Sequence, residues 1–139
     1  MKIEKIDHLS FAVKDLEAAK KIYKEDLGLE PAYEYIASSE KIKVARYYIG
    51  EVAVELMEPT APGGEVAKFI DSKGEGVFLI SYKVDDLSKA MQELKEKNIK
   101  LIDNKPRELF GTRYAFIHHP NKLHGVLTEL LDGEFDINK

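Results

Sequence analysis

Two stretches of the chain share one pattern of apolar and polar positions. Each opens with a short run of β-favouring residues, continues with an aspartate placed to cap a helix, and goes on with apolar residues at helical spacing. These helix positions are Leu16, Ala19, Tyr23 and Leu27 in the first stretch and Leu87, Ala90, Met91 and Leu94 in the second. The pattern predicts one helix in each stretch, ending at Gly28 and Asn98, which tolerate a left-handed backbone.

The two stretches are copies of one unit. At an offset of 71 positions, the identical pairs are Ser10 and Ser81, Val13 and Val84, Asp15 and Asp86, Leu16 and Leu87, and Ala19 and Ala90. Further along the chain, the apolar runs 52–56 and 126–130 align at an offset of 74. A repeat that agrees at both of its ends indicates two modules with the same fold.

Each module continues with further strands. Apolar, β-branched runs at 43–49 and 52–57 predict a hairpin in the first module. The runs 113–118 and 126–131 repeat this arrangement around a longer loop. Each module therefore has the element order β-α-β-β-β. The predicted linker is the segment 59–75, which is rich in glycine and proline and contains a short helical stretch.

These elements predict an α+β fold in which residues 1–139 form a single domain. The two βαβββ modules, at 3–58 and 76–131, are expected to form one cupped mixed sheet with its helices outside. A bent half-sheet cannot bury its concave face alone, whereas two halves enclose a cavity suited to a small molecule. The polar C-terminal segment 132–139 is expected to fray.

Composition narrows the classes of partner. The chain of 139 residues has no cysteine, which excludes a disulfide framework and a cysteine nucleophile. Its 21 basic and 25 acidic residues give a net charge of -4, and this balance argues against a nucleic-acid partner, which needs a concentrated positive field. The first seven residues hold no apolar signal region and no long apolar run follows, so we expect a cytoplasmic protein that does not enter a membrane.

Polar residues inside apolar strands are the candidate functional residues. Glu55 and Glu129 occupy the same place in the last strand of each module, and His8 begins the first module where Leu79 begins the second. An unpaired carboxylate is costly to bury, and a metal ion or a catalytic role would offset that cost. Imidazole with carboxylates suits a divalent ion of the Mn, Fe, Co, Ni or Zn type. The alternative for each glutamate is an ordinary solvent-facing strand residue.

These residues resemble the vicinal oxygen chelate superfamily, the glyoxalase and bleomycin-resistance fold, and in particular its methylmalonyl-CoA epimerases. The resemblance is carried by the segments 5–16, 54–60, 67–70, 74–76, 84–87, 101–103 and 124–130. It implies a glyoxalase-like pair of βαβββ modules and a metal ion held by His8, Glu55 and Glu129. The family's second histidine is expected at position 79, where this chain has Leu79 instead.

The resemblance also implies a reaction. Epimerases of this type invert the carbon between a carboxylate and a thioester by removing a proton from one face and returning it on the other. Glu129 is the first acid/base candidate and Glu40 the second, with Ser38 or Ser39 as the alternative occupant of the second position. The implied partner is a small molecule, a coenzyme A thioester, and a homodimer is a further expectation. The divalent ion would stabilise the enolate.

Two other functions stay open at this point. The first is another enzyme of the superfamily, either a glyoxalase I-type lyase acting on a thiol hemithioacetal or a dioxygenase needing ferrous iron. The second is a metal-free binding or resistance protein, for which Leu79 is the best argument, although the retained His8, Glu55 and Glu129 argue against it. Histidines able to replace the missing ligand are His118, His119 and His124.

Two larger residue sets stay unassigned. The basic candidates for the rim of a coenzyme A site are Lys41, Lys43, Arg46, Arg107, Arg113 and Lys122. The aromatic candidates for the cavity lining are Tyr47, Tyr48, Phe78, Tyr114 and Phe116. Strand-edge lysines often serve solubility, and strand aromatics often serve the core.

Overall fold

The computed structural model describes residues 1–118 and 123–139 and divides the chain into two compact units. The first unit consists of residues 8–78, and the second consists of residues 1–7 and 79–139. In chain order the elements are β1 (Ile3–Ala12), α1 (Leu16–Leu27), β2 (Tyr33–Ala37), β3 (Ile42–Ile49), β4 (Val52–Pro59), α2 (Glu65–Lys73), β5 (Gly76–Val84), α3 (Leu87–Glu96), β6 (Arg107–Leu109), β7 (Thr112–Ile117) and β8 (Leu127–Gly133).

The first unit contains a sheet with helix α1 packed on one of its faces. Its strands run in the order β2-β3-β4-β1, with β1 parallel to β4 and the other neighbours antiparallel. Helix α1 places Leu16 in a core cluster with Ala45, Tyr47, Val54 and Leu56. Because side chains alternate along a strand, the residues between these four point to the opposite face.

The second unit repeats this construction. Its strands run in the order β5-β8-β7-β6, with β5 parallel to β8 and the other neighbours antiparallel. Helix α3 contributes Leu87, Met91 and Leu94 to a cluster with Ala115 and Leu130 of the sheet. A parallel pair of strands needs a crossover connection, and the helix supplies it in both units.

At the start of each of these two helices, two carboxylates accept hydrogen bonds from backbone N–H groups of the first turn. In the first unit, Asp15 accepts a hydrogen bond from the Ala18 N–H at 3.1 Å, and Glu58 of β4 accepts one from the Leu16 N–H at 2.7 Å. The first N–H groups of a helix have no partner within the helix, and a negative charge there is also favoured by the helix dipole.

The second unit has the same double cap. Asp86 accepts a hydrogen bond from the Lys89 N–H at 3.1 Å, and Asp132 of β8 accepts one from the Leu87 N–H at 2.8 Å. Asp132 stands in the second repeat where Glu58 stands in the first. The repeat therefore extends to the polar contacts that fix each helix on its sheet.

The structure confirms the order of elements expected from the sequence. Both units read β-α-β-β-β, and α2 lies in the segment expected to link the modules. Gly28 and Asn98 have φ values of 68° and 60°, in the left-handed region expected at the two helix ends. The exact bounds of a single domain with two modules stay a prediction. Among the described residues, no helix combines the length and apolarity needed to cross a membrane.

The prediction of a frayed C-terminal segment is wrong. Strand β8 continues to Gly133, and the Asp136 N–H donates to the Phe110 carbonyl at 2.7 Å. The ring of Phe135 lies 5.7 Å from that of Phe110, centroid to centroid. An apolar ring within a polar segment thus ties the tail to the turn between β6 and β7.

Asp132 provides a test of the double cap. Partial burial opposes its charged form, but hydrogen bonds from Arg113 and the Leu87 N–H outweigh this, so the pKa of Asp132 lies below its ordinary value of 3.8. Arg113 donates to this carboxylate from Nη2 at 2.6 Å and from Nε at 3.0 Å. The stabilisation is therefore present above the unfolded pKa and is lost as the pH falls through the folded pKa.

Replacing this carboxylate by an amide, Asp132→Asn, should lower the free energy of unfolding at neutral pH by about 1.5–3 kcal/mol, the usual contribution of hydrogen bonds to a charged group. Urea denaturation of both proteins at neutral pH and near pH 3 measures the effect, and the difference should shrink at the lower pH. Asp26→Asn, on the exposed side of α1, is the control. A difference that stays constant with pH would show that the Asp132 charge is not what stabilises the cap.

Candidate functional site

Three buried polar side chains lie on the face of the first unit's sheet that is opposite α1. His8 of β1, Arg46 of β3 and Glu55 of β4 are exposed by only 6%, 4% and 3%. The strand register places Arg46 directly across from Glu55 on one side, and Ser10 across from it on the other. Charged residues are rarely buried to this degree unless they are paired.

Glu55 is the centre of this group. Its Oε2 accepts a hydrogen bond from Arg46 Nη1 at 3.0 Å and another from the Tyr35 hydroxyl at 2.6 Å. Its Oε1 lies 3.4 Å from His8 Nε2. One carboxylate oxygen is thus held by two donors, while the other faces the imidazole.

Arg46 is a permanent cation in this group. Its Nε donates to the Tyr48 hydroxyl at 3.1 Å, and its guanidinium carbon lies 5.2 Å from the centroid of the Tyr48 ring. Burial disfavours the charged form, but the attraction of Glu55 and the hydrogen bonds to Tyr48 and Glu55 outweigh it, so the pKa of Arg46 lies above its usual value. Arg46 therefore keeps its positive charge near neutral pH.

The second unit holds the other predicted glutamate on its corresponding face. Glu129 of β8 is 6% exposed, and the Ser81 hydroxyl of β5 donates to its Oε1 at 2.7 Å. Phe116 of β7 lies across from Glu129 at the register position that Arg46 holds in the first unit. From this register position Arg46 pairs with Glu55 in the first unit, whereas an uncharged ring occupies it in the second.

The serine repeat shows the same divergence. Ser10 lies across from Glu55 as Ser81 lies across from Glu129. Ser10 is fully buried, yet its Oγ makes no hydrogen bond to any described residue. Arg46 and Tyr35 donate to Glu55 in the first unit, whereas the serine hydroxyl donates to the glutamate in the second.

Glu40 closes a short 3-10 turn, Ser38–Glu40, between β2 and β3. Its side chain is half-buried, whereas Ser38 and Ser39 are exposed. A Cβ atom on Gly64, at the start of α2, would lie 3.1 Å from the Glu40 carbonyl oxygen. The backbone at Glu40 is thus closely covered, and its part in any reaction stays a prediction.

The structure brings two of the three expected metal ligands close together. His8 and Glu55 lie side by side in the first unit, and Glu129 lies in the second unit. Within residues 1–118 and 123–139, neither unit by itself groups three histidine, aspartate or glutamate side chains as metal ligands. Leu79 is 2% exposed, so an apolar side chain is buried where the family resemblance expects a histidine. The three-ligand site stays a prediction.

The expected replacement ligands lie elsewhere. His118 is exposed, and its backbone N–H donates to the Lys100 carbonyl at 2.9 Å. His124 is also exposed, with a left-handed φ of 62°. His119 lies outside the described residues, as does Lys122 of the coenzyme A candidates.

Arg46 corrects the expectation of a basic rim. It is buried and paired with Glu55, so it is not a rim residue. A signal in the sequence could have found this pair, because a two-residue turn at Gly50 and Glu51 places 49 across from 52 and hence Arg46 across from Glu55. Tyr47, a candidate for the cavity lining, packs in the core cluster beside α1, which is the alternative for strand aromatics.

Other members of the basic set also form ion pairs. Lys43 Nζ lies 3.1 Å from Glu58 Oε2, and Arg107 Nε lies 2.5 Å from Asp103 Oδ2. Arg113 supports Asp132 at the start of α3. None of these contacts identifies a residue that binds coenzyme A.

Comparison with known proteins gives the family. Residues 7–116 match the model of the Glyoxalase/Bleomycin resistance protein/Dioxygenase superfamily. The chain belongs to this superfamily. The match spans β1 to β7, so it includes the strands that carry His8, Arg46 and Glu55.

Relatives of this superfamily member include both uncharacterised proteins and epimerases. The Bacillus subtilis protein YqjC, which is uncharacterised, is 33% identical over 96% of this chain and 96% of its own length. The mitochondrial methylmalonyl-CoA epimerase of Bos taurus is 28% identical over 91% of this chain and 73% of its own.

Solved structures agree with these relatives. A variant of Streptomyces coelicolor methylmalonyl-CoA epimerase in complex with 2-nitronate-propionyl-CoA has a TM-score of 0.88 to this chain. It is 29% identical, and the match covers 95% of this chain and 96% of that one. The expected glyoxalase-like α+β fold is confirmed.

The two serines provide a matched test of the site. Ser81→Ala removes the hydroxyl that donates to Glu129 and should lower the free energy of unfolding by about 1.5–3 kcal/mol. Ser10→Ala removes a buried hydroxyl that is not bonded to any described residue, so its effect should be neutral or stabilising. Chemical denaturation of both variants measures the difference. Equal losses of stability would contradict the distinction between the two repeats.

Proposed function

We propose that this superfamily member is an epimerase that moves the α-proton of an acyl thioester resembling methylmalonyl-CoA. The observation that carries the proposal is the full-length likeness to methylmalonyl-CoA epimerase, which has a TM-score of 0.88 and includes a complex with an acyl-CoA compound. Fold alone does not identify a reaction, so the proposal also depends on the side chains of this chain.

Glu129 is the proposed proton carrier. It is a buried carboxylate in an apolar strand, and the Ser81 hydroxyl donates a hydrogen bond to its Oε1. A general base must be fixed within reach of the proton that it removes, and a short strand-to-strand hydrogen bond fixes this carboxylate. Glu40 is the proposed second acid/base group, which would return a proton to the opposite face of the same carbon.

The donor chemistry of this chain fits a divalent metal ion. His8 Nε2 and Glu55 Oε1 lie 3.4 Å apart and are the nitrogen and oxygen donors that Co, Mn, Ni, Zn or Fe ions accept. We propose His8, Glu55 and Glu129 as the residues that hold the ion. When bound, such an ion would stabilise the enolate oxygens as a Lewis acid.

A metal-free binding protein is the second candidate function. Leu79 removes the family's second histidine, and Arg46 already neutralises Glu55. Both features favour a protein that has kept the fold and lost the ion. A glyoxalase I-type lyase or a dioxygenase would also need the metal. The expected homodimer and cytoplasmic location stay predictions.

Proton exchange at the α-carbon tests the epimerase. Methylmalonyl-CoA incubated with the protein in deuterated water should take up deuterium, as measured by mass spectrometry, when Co²⁺ is present. Glu129→Gln should lower the rate by at least about 100-fold, because a positioned general base contributes about 10²–10⁴. Glu108→Gln, an exposed residue of β6, is the matched control and should retain the parent rate.

The alternatives give different results in the same assay. Deuterium uptake without Co²⁺ and in the presence of a chelator would support the epimerase proposal but contradict the proposed role of the metal ion. If no deuterium enters the substrate under either condition, the epimerase proposal is wrong. Binding of the thioester without exchange would then favour the metal-free binding protein.

A further inference from the structure

In the first unit a positively charged side chain lies next to one of the proposed metal ligands. Arg46 Nη1 lies 3.0 Å from Glu55 Oε2, and both side chains are almost fully buried, at 5% and 3% exposure. Charges in such surroundings interact more strongly than they do in water, because less solvent screens them. Any ion bound by Glu55 would therefore experience the guanidinium as well.

Arg46 also restricts the geometry of this carboxylate. Together with the Tyr35 hydroxyl, it occupies Oε2 and leaves Oε1 facing His8 Nε2. A carboxylate held in this way offers a metal ion one oxygen with much of its negative charge already compensated. Both effects weaken the attraction of a doubly charged ion.

The fold does not require an arginine at this position. In the second unit the register position across from Glu129 is held by Phe116, and that glutamate is still buried and hydrogen-bonded by Ser81. An arginine holds this register position in the repeat that contains His8. In the second repeat Phe116 holds it, and the guanidinium carbon of Arg107 from β6 lies 5.0 Å from the Phe116 ring centroid.

We propose that Arg46 is a specificity-determining residue that lowers the affinity of the His8 and Glu55 site for divalent ions. Its guanidinium compensates the negative charge of Glu55 and repels a bound cation. The inference rests on the metal site of the proposed function. The loss of the family's histidine at Leu79 acts in the same direction, since it removes a neutral donor. Together the two features describe a site that holds a divalent ion weakly and exchanges it readily.

Isothermal titration calorimetry with Co²⁺ tests this role on the full chain. Arg46→Gln keeps a hydrogen-bond donor but removes the charge, and it should tighten the dissociation constant by at least about tenfold, since the repulsion between the guanidinium and the ion is removed. Arg46→Lys keeps the charge and should stay within about threefold of the parent protein. Adding His8→Ala to Arg46→Gln should abolish the gained affinity, because the imidazole ligand is lost.

Arg113→Gln is the matched control. Arg113 also lies across from a strand carboxylate, Asp132, and forms a partly exposed ion pair with it, but Asp132 caps α3. Removing its charge should leave Co²⁺ affinity unchanged while lowering stability. A tightening of the same size in this variant would show that the effect follows from total charge rather than from Arg46.

Thermal unfolding tests the proposal if Arg46→Gln is too unstable for calorimetric titration. An ion that binds the native state raises the melting temperature, so Co²⁺ should raise that of Arg46→Gln more than that of the parent. Equal or weaker Co²⁺ binding by the variant overturns the proposal. Deuterium exchange is measured separately, so loss of the metal inference and loss of the epimerase are distinguishable.

Discussion

In each unit the first strand runs parallel to the last, and this pairing determines where the polar side chains lie. The pairing of β1 with β4 places His8 and Ser10 beside Glu55, and the pairing of β5 with β8 places Ser81 beside Glu129. A parallel pair needs a crossover connection, and in each unit the chain between the two strands runs through one helix and two further strands of the sheet. The same pairing thus links the sheet to the positions available for chemistry.

Much of this arrangement could be predicted from the sequence because it is repeated. Matching positions at two offsets predict the two βαβββ modules, and matching glutamates predict that Glu55 and Glu129 are buried. The short strands β2 and β6 are harder to place, since they pair with one neighbour in their units and have mostly exposed or half-exposed residues. The contact of the C-terminal tail is missed because it depends on one apolar ring, Phe135, and on a backbone hydrogen bond from Asp136, neither of which the polar composition of the segment indicates.

The Arg46–Glu55 pair could not be predicted from the repeat, because it breaks the repeat. Residue type alone favours an exposed arginine, and only the register of the β3–β4 hairpin places it across from Glu55. Burying two charges gives little net stability, whereas removing one partner is expensive, about 3–5 kcal/mol. Replacing Arg46 alone would therefore leave the Glu55 carboxylate buried beside His8 and Tyr35 without its cation.

The double caps have a consequence for how each unit assembles. The hydrogen bond from the Leu16 N–H to Glu58 joins residues 42 positions apart, and that from the Leu87 N–H to Asp132 joins residues 45 apart. Neither helix can complete its first turn of contacts before the last strand of its unit has arrived. The first turn of each helix is thus coupled to long-range strand closure, so the Leu16 and Leu87 amides should exchange hydrogen slowly with the sheet rather than fray independently.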